Sequence, residues 1–153
     1  MLKNIIQTGN SIEGEFYFEL FKRDIRFTVE DNVGISYVEQ CVTYINSLSE
    51  SVIVKLCEAS IRYCNEFLEE VGEEQLVFLK PMDVLSKIEP IMLCVPDPEG
   101  RDIPVLDLEL NCEWEIEHGM EWIVRENEVL YVGPYYGENP WGDYAVKKNW
   151  NYA

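Results

Sequence analysis

A single histidine, His118, stands in a chain of 153 residues. That scarcity removes most histidine-based chemistry at once. A structural zinc site needs four Cys or His ligands, set in close pairs along the chain. The five cysteines (Cys41, Cys57, Cys64, Cys94 and Cys112) show no C-x-x-C spacing. Odd in number and set among apolar residues, they read as reduced thiols packed in a core. No G-x-S-x-G nucleophile elbow, no G-x-G-x-x-G and no G-K-[ST] phosphate loop occurs, so no cofactor is expected. Positive charge is also scarce. Twelve Lys and Arg face 29 Asp and Glu, for a net charge of −17. Phosphate contacts need Lys and Arg, so direct binding of nucleic acid or of an anionic membrane is not expected. No apolar run is long enough to span a bilayer. The opening Met1–Gly9 has no apolar stretch of a secretory signal, and a cytoplasmic location is expected.

What is present in excess is carboxylate. Residues 1–76 carry 6 basic and 14 acidic groups, and residues 77–153 carry 6 and 15. The excess is therefore spread through the fold and is not a tail. With 47% apolar residues the chain has enough to build a core. A surface of this charge favours a basic partner and speeds encounter with it. The plainer reading is that it only keeps the protein in solution.

The sharpest local pattern is Leu106–Glu117, which alternates without a break. Leu106, Leu108, Leu110, Cys112, Trp114 and Ile116 occupy the even positions. Asp107, Glu109, Asn111, Glu113, Glu115 and Glu117 occupy the odd ones. A single strand would put five carboxylates and an amide on one face, neighbours roughly 6.6–6.8 Å apart. Such a row is either simply hydrated or built to meet something positive. Glycoside hydrolysis also uses paired carboxylates, but among 29 acids some pair falls at almost any spacing. Asp97–Asp102 has oxygen ligands and a Gly, yet it is no EF-hand loop.

The rest of the chain reads as one domain, 1–153. Phe16, Phe18 and Leu20, then Ile25, Phe27 and Val29, alternate as an N-terminal hairpin within 1–34. A helical pair fills 35–72. Ser36 and Glu39 have capping-box spacing for a helix to about Leu48, Ser49 caps a longer one, and Gly72 ends it. Residues 75–133 hold a short helix, Met82 to Lys87, and an acidic-strand meander. His118–Gly119 interrupts that meander, and its last hairpin turns at Glu126–Asn127. The final segment, 134–153, is aromatic, with Tyr135, Tyr136, Trp141 and Trp150. These aromatics either pack on the sheet or anchor a partner. The element order predicts an α+β fold: a mostly antiparallel sheet with an N-terminal hairpin and a C-terminal meander, covered on one face by two main helices.

The run Cys112–Gly119, followed by Val129–Gly133, resembles a family of small uncharacterised bacterial domains with a Trp-x-x-Glu-His-Gly signature. Trp114, Glu117, His118 and Gly119 are the matching positions. Pro81–Val84 and Pro90 also look like that family's middle segment, so the resemblance spans about residues 75–135. In size and acidity such domains are similar to immunity proteins of polymorphic toxin systems. The resemblance implies a structural motif and no catalytic residue. The expected function is a non-enzymatic protein-binding domain that neutralises a cognate toxin, basic and of nuclease type. Asp107, Glu109, Glu113, Glu115 and Glu117 would form its acidic surface, with Tyr135, Tyr136 and Trp141 as anchors. The competing expectation is a small enzyme or ligand-binding domain at Glu117–His118, where a Glu-His pair titrates near neutrality and a pocket would sit at the bend. A structural module with no such partner is the third.

Overall fold

The computed structural model describes residues 1–153. Seven strands form one sheet in sequence order: β1 (Leu2–Thr8), β2 (Ser11–Phe18), β3 (Arg23–Val29), β4 (Ile88–Val95), β5 (Val105–Cys112), β6 (Glu115–Arg125) and β7 (Glu128–Gly133). Every neighbouring pair is antiparallel except β3 and β4. That parallel step needs a long crossover. The helices α1 (Ile35–Ile45) and α2 (Glu50–Glu70), and a 3-10 turn over Pro81–Lys87, supply it. The fold is the α+β arrangement expected from the element order, with both main helices on one face.

Alternation dictates which face they cover. Phe16, Phe18, Ile25, Phe27, Leu93, Leu106, Leu108 and Leu110 are buried in one core with Val38, Cys41, Leu56 and Cys64 from the helices. Ser49 Oγ accepts the Val52 N–H at 3.3 Å and starts α2 as its spacing suggests. Gly72, at φ +79°, follows the last turn. The capping box expected at Ser36 does not form. Gly34 is the N-cap, without a side-chain bond, and α1 stops at Ile45. Burial of Val33 and Tyr37 sets the helix entry, so tertiary packing overrides the local pattern. Strand β1 has no counterpart in the sequence reading. It is an exposed edge strand with adjacent Ile5 and Ile6 and a bulge between Lys3 and Ile6, so it carries no alternation to read.

The second face is covered at its β4–β7 end by the aromatic C-terminal segment. This segment packs against Ile123, Leu130 and Tyr131 through Tyr144. Its end also closes the sheet edge. Tyr152 N–H donates to Val132 O at 2.8 Å, and the Asn151 amide bonds both Leu130 O and Val132 N–H. Arg62 of α2 holds the Tyr152 carbonyl with two N–H groups, at 2.6 and 3.0 Å. All five cysteines are free. Burial pushes Cys57, Cys94 and Cys112 up to about 12 and Cys64 to about 11, so they stay as inert thiols at neutral pH.

Candidate functional site

The carboxylates of 106–117 do not share one strand. The chain reverses at Glu113–Trp114, between β5 and β6, and pairs Cys112 with Glu115. Four residues, Ile116 to Gly119, then stand opposite Asn111 alone before Met120 meets Leu110. This bulge resets the alternation. Ile116, expected on the buried face, is 86% exposed. Gly119 makes the return possible. Its φ is +69°, and a Cβ there would lie 2.6 Å from Leu110 O. The Tyr63 hydroxyl donates to Gly119 O at 3.0 Å, and the Tyr63 ring meets Trp114 edge-on at 5.7 Å. Trp114 and Gly119 thus hold the turn against α2.

Glu115 and His118 form the polar side of the bulge. Glu115 Oε2 lies 2.6 Å from His118 Nδ1, and Oε1 accepts the Glu117 N–H at 2.9 Å. Burial pulls the Glu115 carboxyl upward, but bonds from the His118 ring and from the Glu117 and His118 N–H groups outweigh it and bring it below its ordinary value. The hydrogen bond and charge of Glu115 raise His118. The histidine partner is therefore Glu115 rather than Glu117. Glu117 is exposed and His118 is open to solvent.

Two cavities flank this turn, and His118 lines neither. One, of about 480 Å³, lies between Arg23, Lys87, Glu89, Asn111 and Glu113. The other, of about 420 Å³, lies between the end of α2 (Phe67, Val71), Leu76, Trp114 and Ile116. Ile116 and the Lys87–Glu113 ion pair, 3.7 Å apart, border both. The second cavity also carries Glu73 and Glu74. α2 has no basic residue in its last turn and ends in Glu69 and Glu70. The negative pole of a 21-residue helix thus meets four glutamates with no cation from that turn.

The remaining sequence candidates separate onto the other face. Asp107 is only 7% exposed and Glu121 is fully buried. Glu109, half-buried, pairs across the strands with Glu121. Asp107 Oδ1 and Glu121 Oε2 have no N–H or O–H donor. A proton carried by one carboxyl and accepted by the other would give both a partner. Burial raises both groups above ordinary carboxylate values, and each carboxyl also feels the other. Glu121 Oε1 accepts the backbone N–H of Glu138 at 3.1 Å and of Tyr136 at 3.4 Å, tying the C-terminal segment down. Glu121 carries no signal in the sequence, because it follows the break at Gly119. Tyr135 is half-buried on this face. Trp141 donates to Asp97 O at 2.8 Å, and Arg101 lies 4.6 Å from its ring. Tyr136 is exposed and meets Trp150 edge-on at 6.0 Å.

Fold and site together define a small acidic α+β domain with an exposed Ile116 and carboxylates grouped at one end of its sheet. The chain belongs to a family described as a domain of unknown function (DUF6985), whose pattern matches residues 2–140. That span takes in all seven strands and both helices. No curated protein matches the chain, and no solved structure does. No helix is long and apolar enough to cross a membrane.

Proposed function

We propose that this chain is a non-enzymatic protein-binding domain, an immunity protein that neutralises a basic toxin. The observation that carries the reading is the group of exposed carboxylates at the end of the sheet, Glu113 beside Glu73 and Glu74 with Glu117 exposed on the adjoining bulge, on a chain of net charge −17. Enzymes that attack nucleic acid are basic where they grip phosphate. An acidic end that enters such a groove blocks it and is steered to it. The acidic surface of this proposal is smaller than a row of five. Asp107 is buried, and Glu115 is engaged by His118. The resemblance around Trp114 and Glu117–Gly119 supports the same reading.

The test is protection. The chain is co-expressed with the C-terminal domain of a large secreted protein encoded beside its gene. Growth is expected to be rescued and the two proteins to co-purify. The quadruple variant Glu73→Gln, Glu74→Gln, Glu113→Gln, Glu117→Gln should associate more slowly, with a flatter salt dependence. No rescue and no complex with that domain, or association unchanged by all four substitutions, would contradict the proposal.

A further inference from the structure

Charge accounts for steering but not for where such a partner is held. The cavity at the end of α2 supplies that second part. Its floor is Phe67, Leu68 and Trp114, and its walls are Val71, Leu76 and Ile116. Val71 and Ile116 are exposed without covering neighbours, at 53% and 86%. The loop after α2 is fixed in place rather than folded over the cavity. The Asn65 side chain bonds both the N–H and the carbonyl of Leu76, at 2.8 and 3.1 Å. Phe78 packs into the core, while its neighbours Val77 and Leu79 are 90% and 93% exposed. Apolar surface is thus held out to solvent on an ordered backbone.

The rim identifies the occupant. Glu73, Glu74 and Glu113 stand against Lys87 alone, beside the uncompensated negative end of α2. A second copy of this chain carries its own net charge of −17 and would be repelled by that rim, as would an anionic lipid surface or nucleic acid. We infer that this cavity binds a polypeptide segment of the partner that carries apolar anchor side chains flanked by Lys or Arg. The anchors enter between Val71, Leu76 and Ile116. The cations meet Glu73, Glu74, Glu113 and the last carbonyls of α2. Apolar anchors in a desolvated pocket supply affinity, and rim charges supply rate and partner choice. The inference rests on the protein-binding reading above and gives it a location.

The probe is a synthetic peptide of about 18 residues, built from Leu and Lys with the leucines on one helical face. A control peptide has the same composition with the leucines dispersed. Affinities are measured at about 0.15 M salt, and amide shifts are mapped by NMR on the full chain. The patterned peptide should bind at least about tenfold tighter than its control and shift Val71, Leu76 and Ile116. Val71→Ser with Ile116→Ser should remove that difference without a loss of melting temperature, because both side chains are exposed. Glu73→Gln, Glu74→Gln and Glu113→Gln should weaken binding of both peptides. Equal binding of the two peptides, sensitive only to the glutamate changes, overturns the cavity and leaves the acidic-surface reading standing. Insensitivity to both sets overturns both. Self-association in sedimentation that Ile116→Ser abolishes would instead assign the cavity to a second copy.

Discussion

Gly119, Asp107 and His118 each occupy a position that a single substitution can question. At Gly119, a side chain meets both a left-handed backbone and the Leu110 carbonyl. Gly119→Ala is expected to cost about 2–4 kcal/mol, read as a fall in the denaturant midpoint. A loss within about 0.5 kcal/mol would mean the bulge relaxes. Asp107 and Glu121 are held above ordinary carboxylate values. Folding therefore retains a proton that the unfolded chain releases near about pH 4. Stability from the pair is full below that range and is lost as pH rises toward the folded-state value. Asp107→Asn replaces the shared proton with a permanent donor. It should stabilise the protein by about 1–3 kcal/mol at alkaline pH and flatten the fall in stability above neutrality. An unchanged pH slope would show that the pair does not share a proton. His118 is raised by Glu115, so its stabilising bond is full below about 6.5 and fades as pH rises through the folded value. Its NMR titration midpoint should lie above 6.5 and drop in Glu115→Gln. A midpoint that does not move would separate the two side chains in solution.

At the scale of elements, legibility followed pattern length. The helix α2, the N-terminal hairpin and the Glu126–Asn127 hairpin stand close to where spacing and turn residues place them, because each carries its own period and stop signal, although Leu20 falls in the turn after β2 and not in the strand. Glu126 and Asn127 both have positive φ, as a tight hairpin turn demands. The run 106–117 misled for a physical reason. Alternation reports which residues differ in polarity, not where the chain reverses, and a two-residue turn at Glu113–Trp114 preserves the count while changing the partner. Trp114 stays buried through the turn by meeting Tyr63, whereas Ile116 is released into solvent. The loop after α2 depends on one side chain. Asn65→Ala removes both bonds to Leu76 and should raise amide exchange across residues 73–79 by at least about tenfold. Global stability should fall by only about 1 kcal/mol. Unaltered exchange would show that Phe78 alone fixes the loop.

The whole molecule carries 29 acidic groups on 17.9 kDa, and its seven ion pairs are exposed or partly exposed. Such pairs contribute little, so self-repulsion is the larger effect. The melting temperature is expected to rise as salt increases from about 0.01 M to about 0.5 M. A fall would mean that the ion pairs outweigh the repulsion. Composition sets the expected sign, and the order of residues sets the α+β class and the core faces of β2, β3 and α2. Those properties depend on local period and on total charge, which a linear chain displays. Only the tertiary structure decided which carboxylates are a surface. It buried Asp107 against Glu121, gave Glu115 to His118, and gathered Glu113 and Ile116 with Glu73, Glu74 and Val71 from the end of α2. These groups lie about forty residues apart along the chain. Their meeting is set by how the crossover helices pack on the sheet, and no local pattern records that.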